Sequence, residues 1–283
     1  MRLGVDIGGT KIAVVVLDAD GAERVRRRVE YSSRDYGAAL DLLLGEIRAA
    51  EKEAAEPCSV GVGMPGLIDP DTGLVENAYN TPYNKKALQR DLQQRLEREI
   101  RIANDANCFA LSEACDGAAR GARVVFGAIL GTGVGGGIVV EQRVVAGRHG
   151  IAGEWGHTPL PRMSADEYPG ARCTCGRLGC IEQFLSGPAK NRERDAIGEQ
   201  AAMTRYADRL ARAFSTVINI LDPDVIVVGG GMSKHDEIYR AVPPLLSRYV
   251  YHRNPRTPIV PAEHGDASGV RGAAMLWPPH LSG

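Results

Sequence analysis

Three groups of residues in this chain have the types and spacing to do chemistry. Asp105 follows Asn104 where an apolar run, Ile100-Arg101-Ile102-Ala103, meets a helical pattern. A carboxylate at the end of a strand and facing a cleft suits a general base, but Asp and Asn at a helix start also serve as N-caps, and both roles are open here. His157 with Cys173, Cys175 and Cys180 supplies one imidazole and three thiolates. That donor set closes a tetrahedral zinc site with no position left for water, which makes such a zinc structural. Reduced surface cysteines are the alternative; Gly176 and Gly179 favour a tight metal-binding knuckle. Glu154, three residues before His157, and Glu182, two after Cys180, would be pinned by it. Carboxylates anchored in this way can grip hydroxyl groups.

The third group is glycine-rich. Gly8-Gly9-Thr10-Lys11 separates two β-branched runs, residues 3–7 and 12–18, and Gly131-Thr132-Gly133-Val134-Gly135-Gly136-Gly137 separates two more, residues 124–130 and 138–140. A glycine turn between strands can hold phosphate, because consecutive backbone N–H groups point into the concavity and no Cβ blocks approach. Two such turns suggest two jaws on one polyphosphate. Asp6, just before the first turn, would suit a Mg²⁺ ion held through water, with Thr10, Lys11 and Thr132 adding donors. Ligand-free hairpins are the plain alternative, weakened by a third run, Gly229-Gly230-Gly231. Gly61-x-Gly63-x-x-Gly66 and Gly131-x-Gly133-x-x-Gly136 both match the dinucleotide pattern. Both lack the helix that must follow it, which argues against a dehydrogenase.

The elements that would position these groups alternate strand with helix. Leu40, Leu43, Leu44 and Ile47 mark a helix, residues 58–63 a strand, Leu88, Leu92 and Leu96 a helix, and Ala110, Leu111, Ala114 and Cys115 the helix after Asp105. Residues 141–183 read as an irregular insert carrying the cysteines. Tyr206, Leu210, Phe214, Val217, Ile218 and Leu221 trace a long helix, residues 224–228 a buried strand, and Ile238, Val242, Leu245 and Leu246 a further helix. His264, Gly265, Asp266 and Arg271 read as a polar turn and a helix opening. The strand, glycine turn and strand of residues 3–18 recur from residue 124, which suggests a duplicated fold in two α/β lobes, 1–120 and 121–283, with the last helix a candidate to pack back on the N-terminal lobe.

Composition agrees with a small-molecule enzyme. Over 283 residues, 34 Lys and Arg stand against 35 Asp and Glu, a formal charge of -1 that removes the electrostatic reason to expect nucleic acid or an anionic membrane as partner. No run is long and apolar enough to span a bilayer, and the first residues show no signal-peptide core, so a cytoplasmic location is expected. Three of the six cysteines lie alone and three within eight residues, unlike a disulfide framework. Glycine supplies 34 of the 283 residues, above the usual ~7%, so the excess is expected where backbone meets a ligand or turns sharply.

Asp6-Ile7-Gly8-Gly9-Thr10-Lys11, Gly63-Met64-Pro65-Gly66, Asn104-Asp105-Ala106-Asn107, Leu130 to Gly137, Gly153-Glu154-Trp155-Gly156-His157, Cys173 to Glu182 and Gly229-Gly230-Gly231 together resemble the ROK family (repressor, open reading frame, kinase) of sugar kinases, over nearly the whole chain. The resemblance implies an actin-like, hexokinase-like ATPase fold of two lobes with duplicated ribonuclease-H-like cores, a zinc-binding insert, and a homodimer. It implies Asp105 as catalytic base, with Gly66, Asn104, Glu154, His157 and Glu182 around the sugar and structural Zn²⁺ on His157, Cys173, Cys175 and Cys180. It further implies Asp6, Gly9, Thr10, Lys11, Gly131, Thr132 and Gly133 at the phosphates of Mg·ATP, and Gly229, Gly230 and Gly231 on the nucleoside side. His157 could serve zinc and sugar through different ring nitrogens. Within the family, residues 154–161 and 264–277 are most similar to bacterial fructokinases that also accept mannose, and N-acetylglucosamine kinases share most of them. The expected reaction is therefore transfer of the ATP γ-phosphoryl to the 6-hydroxyl of a hexose, first fructose, with N-acetylglucosamine as the alternative. Residues 77–83 depart from both patterns, and residues 188–200 form a shorter stretch than in relatives. A sugar-responsive repressor or a sensor without catalysis is the rival of another class. With the phosphate strand beginning at residue 3, no room is expected for a helix-turn-helix ahead of it.

Overall fold

The computed structural model describes residues 1–79 and 81–278. Asn80, inside the segment 77–83 singled out above, and residues 279–283 of the C-terminal lobe lie outside the described residues. The first half runs β1 (Arg2–Ile7), β2 (Lys11–Leu17), β3 (Glu23–Glu30), α1 (Tyr36–Ala54), β4 (Ser59–Met64), the short β5 (Leu67–Ile68) and β6 (Val75–Glu76), α2 (Leu88–Leu96), β7 (Ile100–Asn104) and α3 (Asp105–Cys115). The second runs β8 (Val124–Leu130), β9 (Val134–Val140), β10 (Arg143–Val144), α4 (Glu182–Leu185), α5 (Gly187–Ile197), α6 (Glu199–Leu221), β11 (Val225–Gly229), α7 (Asp236–Leu246), β12 (Ile259–Pro261) and α8 (Ser268–Met275).

Two five-stranded sheets result, ordered β3-β2-β1-β4-β7 and β10-β9-β8-β11-β12. In each, the first three strands pair antiparallel and the last two join in parallel. The expected duplication is thus a repeated topology, the two-lobed hexokinase-like fold. Strand alternation sorts the side chains. Leu3, Val5 and Ile7 of β1 face α1, where Leu43, Leu44 and Ile47 are fully buried, each contributing about 1.5–3 kcal/mol. Phe126, Ala128 and Leu130 of β8 face α6 and α7 in the same way. Asp35 caps α1 by accepting the Ala38 N–H at 2.8 Å.

The other faces of the two sheets enclose α3 and α8, and here glycine is decisive. Gly4 and Gly61 are register partners on β1 and β4. A Cβ on Gly4 would lie 2.1 Å from the Val270 carbonyl oxygen, and one on Gly61 1.9 Å from that of Ala273, so α8 rests its backbone on this bare strip. Gly127 and Gly137, partners on β8 and β9, make the equivalent bed for α3 at Ala110 and Ala106. The helices also meet directly, since a Cβ on Gly272 would stand 1.7 Å from the Cys108 carbonyl oxygen. Two expectations are corrected here. Much of the glycine excess serves helix-on-sheet approach, neither ligand nor turn. The second glycine turn is shorter than expected, because Gly135, Gly136 and Gly137 belong to β9, where a Cβ on Gly136 would collide with Trp155 and one on Gly137 with Ala106.

A polar clasp ties the end of α3 to the start of α8. Fully buried Glu113 accepts from the backbone N–H groups of Ala118, Glu263 and His264 and from the Ser268 hydroxyl at 2.7 Å. His264 Nε2 lies 2.9 Å from Asp116, which also pairs with Arg271. The turn and helix opening are therefore a junction between lobes. The long helix begins at Glu199, seven residues before Tyr206, and Gly198 separates it from α5, so the short stretch 188–200 is itself largely helical.

Candidate active site

Period-two alternation that puts Gly4 beneath α8 also puts Asp6 on that face, at the mouth of the cleft between the sheets. Its carboxylate lies where a Cβ on Gly269 would be 3.3 Å away. Burial pushes the Asp6 carboxyl up to about 6, against the pull of Lys11. Asp105 is the first residue of α3, and the cap ahead of it is Asn104, whose Oδ1 accepts the Ala106 N–H at 2.8 Å. The capping role thus falls to Asn104 and leaves Asp105 at the cleft, one oxygen bonded to the Ala106 N–H at 2.9 Å. Asn104 Nδ2 donates to the Gly66 carbonyl at 3.0 Å, so a single N–H of that amide remains for anything else. Asp105 is likewise pushed up to about 6, first by burial, then by the charges of Asp6 and Glu154. Both glycine turns face one cleft of about 650 Å³, lined among others by Asp6, Gly9, Asp105, Thr132, Gly230 and Asp266. A concavity of about 680 Å³ beyond the end of α6 contains none of these residues.

The second turn is held from below. Gly131 N–H donates to the Gly133 carbonyl at 3.0 Å, and the Gly131 carbonyl accepts from Gly187 at 2.7 Å. Val134 N–H donates to Glu182 Oε2 at 3.0 Å, and a Cβ on Gly133 would stand 2.7 Å from that oxygen. Gly133 is therefore glycine for the sake of Glu182, whatever else approaches it. Gly229 packs under the Phe109 ring, where a Cβ would lie 2.5 Å away, while Gly230 lines the cleft and Gly231 opens onto free space.

Glu154 and His157 are placed by Trp155, which lies between them. Trp155 stacks on Phe214 at 5.3 Å, meets Phe126 edge-on at 5.6 Å, and donates its indole N–H to the Gly135 carbonyl at 2.8 Å. Burial and the neighbouring Glu182 charge raise the Glu154 carboxyl, opposed by His157. His157 Nδ1 lies 3.5 Å from Cys173 Sγ, Cys175 and Cys180 sulfurs are 3.6 Å apart, and the four ligand atoms all fall within 4.8 Å of one another. Metal–sulfur bonds of ~2.3 Å and metal–nitrogen bonds of ~2.0 Å imply tetrahedral edges of about 3.8 and 3.5 Å, which the Cys175–Cys180 and His157–Cys173 contacts match. The insert is clamped to α6 by buried Glu167, which accepts from Arg209 Nε and Arg212 at 2.8 Å each. Arg212 also donates to the carbonyls of Pro161 and Arg162.

Asp6, Gly9, Asp105, Thr132 and Gly230 thus meet in one cleft; Glu154, His157 and Glu182 cluster beside the cysteines, and Thr10 and Lys11 follow Gly9 into β2. Sequence reasoning left Gly265, Asp266 and Gly269 out, although all three line the cleft. The four-residue spacing of the two glycines at a helix start is the signal that marks them. Asn77, Ala78, Tyr79 and Thr81 line it too, with the Tyr79 hydroxyl donating to Asn77 at 2.9 Å.

A family model described as "ROK family" matches residues 2–199 and 189–280. The chain is 40% identical to an N-acetyl-D-glucosamine kinase of Pectobacterium atrosepticum over 98% of both chains. Among solved structures, a ROK hexokinase from Thermus thermophilus superposes with a TM-score of 0.86 at 27% identity, covering 97% of each chain. A ROK family glucokinase from Streptomyces griseus, in complex with glucose and AMPPNP, gives 0.77 at 27% identity over 97% of this chain and 98% of that one.

Proposed function

The chain belongs to the ROK family as an ATP-dependent sugar kinase, and from that premise we propose that its acceptor is N-acetyl-D-glucosamine, phosphorylated at the 6-hydroxyl. The observation that carries this choice is the 38–40% identity to N-acetyl-D-glucosamine kinases of several bacteria, over 98–100% of this chain. The fructose expectation rests on shared motif segments that those kinases also carry, and it becomes the second outcome of the test.

In this reading the reaction is an in-line transfer in which positioning and charge stabilisation dominate. Asp105 accepts the proton of the attacking hydroxyl. Glu154, Glu182, the remaining N–H of Asn104, Nε2 of His157 and the Gly66 turn orient the sugar. Backbone N–H groups of Gly9 and Gly133, with Thr10, Lys11 and Thr132, hold the phosphates, and Gly131, whose N–H is taken by the Gly133 carbonyl, shapes the turn beside them. Asp6 would hold Mg²⁺ through water, where the ion would neutralise charge on the phosphate oxygens. Gly229, Gly230 and Gly231 form the nucleoside side, and the lobes 1–120 and 121–283, with α8 packed back on the first, close on the pair of substrates.

His157, Cys173, Cys175 and Cys180 hold structural Zn²⁺, supported by the tetrahedral edge lengths. The enzyme acts in the cytoplasm as a homodimer; free cysteines at all six positions suit a reducing compartment, and no helix among the described residues is long and apolar enough to cross a membrane.

The test is ADP release from Mg·ATP with N-acetylglucosamine, fructose, mannose and glucose, alongside the zinc content of the protein. The highest kcat/KM is expected with N-acetylglucosamine. Fructose in first place would restore the fructokinase reading and keep each residue role.

A further inference from the structure

Glu182 stands between two sites that the sequence keeps apart. It is the first residue of α4, two beyond Cys180, and its carboxylate divides its contacts. Oε1 lies 3.6 Å from Cys173 Sγ, within the cysteine knuckle. Oε2 accepts the Val134 N–H at 3.0 Å, at the foot of the second glycine turn. A second link runs parallel to the first, since Gly187 N–H, just after α4, donates to the Gly131 carbonyl at 2.7 Å. The turn is thus gripped at both ends, Gly131 and Val134, by the short segment that leaves the knuckle.

That segment is itself anchored on the knuckle side. Ile181 N–H donates to the Thr158 carbonyl and Leu160 N–H to the Gly179 carbonyl, both at 2.9 Å, so the strand of chain after His157 and the one around Cys180 are laced together. The Leu185 carbonyl accepts the hydroxyl of fully buried Tyr206 at 2.9 Å, which fixes the far end of α4 against α6. Gly133 completes the device: any side chain there would begin 2.7 Å from Oε2 and force the carboxylate off its N–H.

We infer that Glu182 is a positioning residue for ATP, through which the metal knuckle sets the geometry of the Gly131–Val134 phosphate turn. The inference rests on the assignment of that turn to the ATP phosphates. Its consequence is that an ordered knuckle is required for nucleotide binding even when no sugar is present. A knuckle that only shaped the sugar pocket would leave sugar-free nucleotide affinity untouched.

The experiment is calorimetric titration of Mg·ADP into full-length, sugar-free protein, with zinc content measured on each sample. Loss of a hydrogen bond to a charged acceptor is expected to weaken Mg·ADP binding by about 10-fold or more in Glu182→Ala. Zinc-stripped wild type should lose affinity similarly. Glu182→Gln keeps an oxygen for the Val134 N–H and should restore nucleotide affinity. Gly133→Ala should weaken Mg·ADP binding with zinc content unchanged, which gives a reading even where Glu182→Ala fails to fold. Affinity within about twofold of wild type in both Gly133→Ala and the zinc-stripped protein would overturn the inference. Wild-type protein that binds no Mg·ADP would overturn the phosphate assignment itself. Because no sugar is present, the result does not depend on which hexose is the acceptor.

Discussion

The side-chain amide of Asn104 bonds in two directions: its oxygen caps α3 at Ala106, and its nitrogen reaches the Gly66 carbonyl at 3.0 Å. One residue therefore starts the helix that carries Asp105 and holds the turn that follows β4. Asn104→Ala should lose about 1–2 kcal/mol of stability through the cap. Asn104→Asp keeps the cap but replaces the donor facing the Gly66 carbonyl with an acceptor, so it should lose the turn contact and raise the KM for sugar while keeping the helix start. Urea denaturation and sugar kinetics on the two variants separate these effects.

Asp105 should govern the acid limb of the pH profile. With its carboxyl pushed up to about 6, it is protonated below that pH and cannot accept the hydroxyl proton, so kcat/KM should rise as pH climbs through 6. Asp105→Asn should lower kcat by about 10²-fold or more. The stability effect has the opposite sign to the activity effect. A carboxyl whose folded pKa exceeds its unfolded value favours the fold most below the unfolded value of 3.8, and that contribution is lost as pH rises through about 6. Asp105→Asn should accordingly raise the melting temperature at pH 7.5 more than at pH 4. Turnover near wild type would remove Asp105 from the chemistry.

The glycine bed beneath the helices can be probed with two matched substitutions. Gly272→Ala places a methyl against the Cys108 carbonyl, so α3 and α8 must separate, at an overpacking cost of roughly 1–3 kcal/mol or more. Gly45→Ala, on α1 with nothing within 4 Å of its Cβ position, should instead stabilise by about 0.5–1 kcal/mol. Equal shifts in denaturation midpoint would refute the packing account.

Glu167 keeps two buried guanidiniums company, and those of Arg209 and Arg212 hold its carboxyl well below the usual range despite burial. A carboxyl depressed in this way contributes stability above its unfolded value of 4.5, and that contribution is lost as pH falls toward the depressed value. Glu167→Gln removes the carboxylate the two guanidiniums share, while Arg209 keeps Glu193 and Arg212 keeps Asp208, and should cost about 1–3 kcal/mol. Thermal melts at neutral pH check the loss, and zinc content shows whether the insert loosens with it.

Local pattern carried a large share of this protein. Strand and helix alternation, the repeat of strand, turn and strand, and the Cys and His quartet are written in consecutive residues, because side-chain periodicity and turn chemistry are short-range. The long helix and the strand after it, Val225–Gly229, were legible for the same reason. Even the capping of α3 was visible as an option at Asn104.

Tertiary structure alone decided what the glycines are for. Gly4 and Gly127 lie in sequence within apolar runs and Gly61 and Gly137 within glycine-rich patterns, yet each of them, like Gly272, marks backbone lying against a distant segment. Likewise, the raised carboxyls of Asp6 and Asp105 arise because β1 and α3, far apart in sequence, end in one desolvated cleft. Asp266 enters that cleft and Glu182 reaches Val134 for the same reason. Close approach and burial depend on how whole elements stack, and no window of neighbouring residues contains that distance.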